Sequence, residues 1–131
     1  MGQASPDCPV ALVVEDDDAV RNLAAAVLEE TDLDVITCES AEAAISVLER
    51  PGMNVALLFA DVRLPGAMDG IALASTVGRR WPETRGVVTS GYDAQADGRL
   101  PQQAVFMQKP WRALDVLVQA ERATLAARAA A

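Results

Sequence analysis

Two kinds of apolar run take turns along this chain. Val10–Val14 (VALVV), Asn54–Ala60 (NVALLFA), Gly86–Ser90 (GVVTS) and Ala104–Met107 (AVFM) are short and mostly apolar, as strands covered on both faces must be. Asp34–Cys38 (DVITC) alternates as one more strand. Between the strands the apolar positions fall three and four apart, the spacing of a helix with one buried face. They are Val20, Leu23, Ala24, Val27 and Leu28; then Ala41, Ala44, Ile45 and Leu48; then Leu73, Ala74 and Val77; and, after Pro110, Leu114, Leu117, Val118 and Leu125. Asp18 and Ser40 stand where side-chain caps belong, the first helix should end near Thr31, and Pro51-Gly52 and Trp81-Pro82 act as terminators. Gly91–Gln103 is polar, contains Gly98 and Pro101, and shows no period.

Strands alternating with helices predict an α/β fold, a doubly wound five-stranded parallel sheet in which βα repeats five times with the fourth helix short or degenerate. In such sheets ligands bind beyond the carboxyl ends of the strands, where the loops diverge.

Composition narrows the function. The 131 residues suit one domain, read as a disordered leader over 1–9, the folded unit over 10–126 and a frayed tail over 127–131. No apolar run approaches the roughly 20 residues needed to span a bilayer, which argues against a membrane partner. Cys8 and Cys38 form no disulfide or metal pattern, and the first residues lack the basic and apolar parts of a secretory signal, so a cytoplasmic location is expected. A net charge of −8 opposes nucleic-acid binding. With no histidine, the chemistry has to run on carboxylates, hydroxyls and lysine.

The strand ends supply such groups. Glu15 and Asp16 follow the first strand, Asp61 the third and Lys109 the fifth, and Thr89-Ser90 closes the fourth. Three acids brought to one edge repel unless offset, and a hard divalent cation such as Mg²⁺ suits oxygen ligands. If Asp61 attacks a phosphoryl group, its single charge becomes an acyl phosphate of about −2. Lys109, the Ser90 hydroxyl and loop N–H groups can meet that charge, so the set suits phosphoryl transfer with Asp61 as nucleophile. Blander roles compete at some positions. Glu15, Asp16 and Asp17 could be a helix N-terminal acid cluster, the only role assigned to Asp17. Asp69-Gly70 reads as a turn and helix entry, Cys38 as a buried small hydrophobe, and Trp111 as packing the start of the last helix.

VVEDDDAVR, ADVRLPGAMDG, VVTSGY and FMQKPW, in that order within about residues 10 to 125, resemble the four signatures of bacterial response-regulator receiver domains, the CheY-like family. The resemblance implies a (βα)5 flavodoxin-like receiver fold. It implies that Glu15, Asp16 and Asp61, helped by the Arg63 backbone carbonyl, hold Mg²⁺. Asp61 would accept phosphate from a histidine kinase or histidine phosphotransfer protein, and Lys109 would bind the phosphoryl group. Ser90 matches the switch hydroxyl and Phe106 the switch aromatic, although Phe106 could also be plain core. Thr89 is the alternative to Ser90: strand alternation turns only one of them toward the site, and Gly91 after Ser90 leaves room for the aromatic to move. Arg63 and Tyr92 fall where family members tune water's access to the acyl phosphate, and their bulk implies slow hydrolysis.

The expected function is therefore a phosphoacceptor signalling domain, not an enzyme in the ordinary sense, that switches a protein-interaction surface toward an unidentified output protein. Alternatives are a phosphate sink or phosphorelay intermediate and an aspartate-nucleophile phosphatase, though the latter resemble DxD sites and Arg63 stands where the second acid would be. LPGAMDG is one residue longer than the commoner LPGMDG form and resembles receivers attached to hybrid sensor kinases.

Overall fold

The structure, a computed structural model, describes residues 8–91 and 98–130. Its elements are β1 (Val10–Val14), α1 (Asp18–Leu28), β2 (Asp34–Cys38), α2 (Ala41–Leu48), β3 (Val55–Asp61), α3 (Gly70–Arg80), β4 (Arg85–Ser90), β5 (Val105–Gln108) and α4 (Ala113–Ala130). The five strands are parallel and lie in the order β2-β1-β3-β4-β5, so the expected α/β sheet is present. Residues 1–7 of the leader and 92–97 of the segment where a fourth helix was expected to be short fall outside the described residues. Gly98–Ala104, which is described, contains no helix.

The continuous apolar runs follow from burial on two sides. On β1, Val10, Leu12 and Val14 join a core with Ala44, Leu48, Leu73 and Val77 of α2 and α3, while Ala11 and Val13 join another with Ala24, Leu28, Val116 and Ala120 of α1 and α4. A strand with a helix layer on each face has no side free for polar residues. Ser40 caps α2 as expected, its hydroxyl accepting from Ala43 N at 3.1 Å.

Three local expectations are corrected. The N-cap of α1 is Asp17, not Asp18, because the Asp17 carboxylate accepts from Val20 N at 3.1 Å while Asp18 already lies within the helix. The helix itself stops at Leu28; Thr31 lies beyond it and its hydroxyl donates to Leu28 O. The inward faces of the outer helices also differ. Leu23 is 56% exposed, Leu114 61% and Leu125 56%, whereas Val116, Ala120 and Ala123 are buried. Where α1 and α4 pack on each other and on the sheet, small residues allow close approach, and the leucines turn outward. Among the described residues no helix is long and apolar enough to cross a membrane.

Candidate functional site

Asp61 ends the central strand, with β1 on one side and β4 on the other. Glu15 follows β1 directly and is anchored through its backbone: its N–H donates to Cys38 O at 3.0 Å, and its carbonyl accepts from Arg21 Nη1 at 3.0 Å. Lys109 follows β5, and its N–H donates to Ser90 O at 2.8 Å; the Lys109–Pro110 peptide is cis. Three strand ends thus deliver three side chains to one place. Lys109 Nζ donates to Asp61 Oδ2 at 3.1 Å and to Glu15 Oε1 at 3.2 Å.

Asp16 completes the group. Glu15, Asp16 and Asp61 each present an oxygen within 4.8 Å of the others, three hard donors on the rim of a cleft of about 500 Å³ that Arg63, Leu64 and Lys109 also line. Glu15 is 4% exposed and Asp61 8%, while Asp16 faces solvent, so the set is held from inside and reached from outside. That donor chemistry fits a small divalent cation.

The electrostatics reflect this crowding. Burial pushes the Glu15 carboxyl above the usual carboxylate range; the Asp17 N–H, 3.2 Å from Oε2, opposes this, and the charge of Asp61 adds to it. Burial draws the Lys109 ammonium down, but the hydrogen bond and charge of Asp61, followed by Glu15, outweigh it and hold the group above the ordinary lysine value. Lysine is therefore charged at neutral pH and ties the two acids together.

Of the remaining expected residues, Thr89 and Ser90 are both buried. Thr89 is in register with Asp61, and Ser90 with Gln108. Alternation puts Ser90 on the sheet face of Val88 and Phe106, which pack with Val62, Ile71 and Ala74 beneath α3, and puts Thr89 on the face of Val87. Phe106 is only half-buried. A Cβ on Gly91 would meet no described atom within 4 Å, so packing among the described residues does not demand its small size. Tyr92 lies outside the described residues.

The sequence reading missed why Gly70 is a glycine. A Cβ there would lie 2.0 Å from Asp61 O, and Gly70 N donates to Val62 O at 2.8 Å, so α3 starts pressed against the backbone at the end of β3. Asp69 caps that helix, accepting from Ala72 N at 2.8 Å, as its place before Gly70 suggested. Arg99, in a stretch with no periodic signal, pairs with the other Asp69 oxygen at 2.6 Å.

The response regulator receiver domain family matches this chain over residues 11–119, a span that contains Glu15, Asp16, Asp61 and Lys109. The chain belongs to that family. Receiver domains are signalling modules of two-component systems rather than enzymes of the ordinary kind. Among curated relatives, the Brucella abortus protein described as sensor kinase CckA is 33% identical over 103 residues, 76% of this chain; the match spans only 11% of that relative's length. The receiver domain of NtrX from Brucella abortus superposes with a TM-score of 0.72 at 29% identity, over 86% of this chain and 96% of that one. A response regulator receiver protein from Sinorhizobium medicae superposes at 0.83 and 18% identity, over 94% and 99%, a likeness of fold.

Proposed function

We propose that this receiver domain takes a phosphoryl group onto Asp61 from a phosphohistidine of a histidine kinase or histidine phosphotransfer protein. The observation that carries the reading is the Lys109 ammonium bridging Asp61 and Glu15 on the rim of an acid cleft. An Asp61 carboxylate oxygen attacks phosphorus as the P–N bond of the donor breaks, giving an acyl phosphate and releasing the donor imidazole. Glu15, Asp16, Asp61 and the Arg63 backbone carbonyl would hold Mg²⁺, which when bound offsets charge on the phosphoryl oxygens. Lys109 then exchanges a carboxylate partner for a phosphoryl oxygen. Its charge is already positioned, so little reorganisation is needed.

The added charge is the switch. Ser90, with Thr89 as the alternative, offers a hydroxyl at the end of β4, and Phe106 shares the sheet face of Ser90. A hydroxyl drawn to the phosphoryl group and an aromatic that follows it would shift the population toward a form that an output protein recognises. Arg63, exposed at the cleft, and Tyr92 would shield the acyl phosphate from water. The charge of −8 fits an acceptor that engages proteins, not nucleic acid. Similarity to part of a protein described as a sensor kinase supports a second reading, a phosphorelay intermediate or phosphate sink. Onward transfer of label to a phosphotransfer protein would distinguish it.

Incubation with Mg²⁺ and acetyl phosphate tests the acceptor. Wild type should gain one phosphate per chain by intact mass, and Asp61→Asn none; equal uptake by both would remove Asp61 from the role.

A further inference from the structure

The acceptor cleft is walled in part by Arg63, Leu64 and Pro65, which belong to the loop joining β3 to α3. Leu64 and Met68 pack against the core beneath α2 and α3, but Pro65, Gly66 and Ala67 between them are exposed. This is also the stretch that is longer than the commoner LPGMDG form. Glu42, in the first turn of α2, rests on it. Met68 N donates to Glu42 Oε2 at 3.2 Å, and a Cβ on Gly66 would lie 2.8 Å from Glu42 Oε1. Gly66 has φ of +94°, a backbone conformation that favours glycine, and the absence of a side chain there leaves room for the Glu42 carboxylate.

We propose that Glu42 is a positioning residue for phosphoryl transfer: by holding Gly66–Met68 against α2 it fixes the cleft wall and the backbone next to Asp61. The proposal rests on the acceptor reading above. The path to the reacting group is short, since Arg63 N donates to Asp61 Oδ1 at 3.4 Å, and in-line attack tolerates little displacement of a nucleophile or its surroundings. An acid in the first turn of a helix also complements the helix dipole, and that alone would leave the reaction untouched. Glutamine separates the two roles, because it keeps the acceptor oxygen for Met68 N and loses the charge.

Phosphorylation by acetyl phosphate with Mg²⁺ and hydrolysis of the product are timed in wild type, Glu42→Gln, Glu42→Ala and Glu42→Lys, with thermal midpoints measured alongside. Glu42 is exposed and alanine is the best helix former, so the fold should persist. Glu42→Ala should slow phosphorylation about tenfold at an unchanged midpoint, as loss of a supporting contact does. Glu42→Lys, with a donor where an acceptor is needed, should be at least as slow, and Glu42→Gln should stay close to wild type. Wild-type rates in Glu42→Ala and Glu42→Lys, or a Glu42→Gln as slow as Glu42→Ala, would overturn the assignment. If wild type takes up no phosphate, the acceptor reading fails and the positioning role fails with it.

Discussion

Gly70 and Asp61 illustrate how tightly single atoms constrain this site. Replacing the Gly70 hydrogen with a methyl group places carbon 2.0 Å from Asp61 O, and the nearest atoms belong to backbone, which cannot rotate away. Gly70→Ala should therefore cost about 2 kcal/mol or more in denaturant unfolding, despite alanine's better helix propensity, and should also slow labelling of Asp61. Unchanged stability would mean that α3 can back off from the strand. At Glu15 the constraint is electrostatic. Its folded-state carboxyl sits above the usual range because it is buried, so the metal-free fold binds this proton more tightly than the unfolded chain does. Ionised Glu15 thus costs the metal-free protein stability, and that cost is relieved as pH falls through the folded pKa. A cation at the carboxylates reverses the preference. Mg²⁺ affinity, followed by titration calorimetry, should weaken as pH is lowered toward that raised value, earlier than ordinary carboxylates would dictate. Affinity constant down to the ordinary carboxylate range would contradict a role for Glu15 in holding the ion.

At the scale of elements, the strands were legible to within a residue at each end, because burial on both faces leaves β1 and β3 as continuous apolar runs while the outer strand β2 shows in alternation. Helix faces were less so. In α4 the leucines at 114, 117 and 125 suggested a buried stripe, yet Ala120 and Ala123 carry the close contact. Size, not hydrophobicity, decides which face sits nearest a neighbour, and periodicity does not register it. Leu125→Ala should accordingly change stability by less than about 0.5 kcal/mol, whereas Ala123→Leu should cost about 1–3 kcal/mol by overpacking. Chemical denaturation of the pair would reveal a misassigned face if the order were reversed. The start of α1 makes a similar point. Three consecutive aspartates, Asp16 to Asp18, all have capping chemistry, and backbone conformation selects one: Asp17 is extended and accepts from Val20 N. Asp17→Ala should lose about 1 kcal/mol of stability, and Asp18→Ala clearly less.

Across the whole molecule, the acid cleft sits in a chain that already carries −8, so the metal-free domain works against its own charge. Saturating Mg²⁺ should raise the thermal midpoint of wild type, by about 2.7 kcal/mol of stability at a hundredfold excess over Kd, and much less in Asp16→Ala. Equal shifts would place the ion elsewhere. The order of residues by itself determined the α/β class, the parallel sheet and the candidate acids and lysine, because strand runs end where function begins and a parallel sheet gathers its carboxyl ends at one edge. Tertiary structure alone decided that Lys109 ties Glu15 to Asp61, that Gly70 must lack a side chain, and that Glu42 and Arg99 reach the loop between β3 and α3. Those relations join residues distant in sequence through contacts of a few ångströms, and no local pattern of polarity or spacing encodes a distance across the fold.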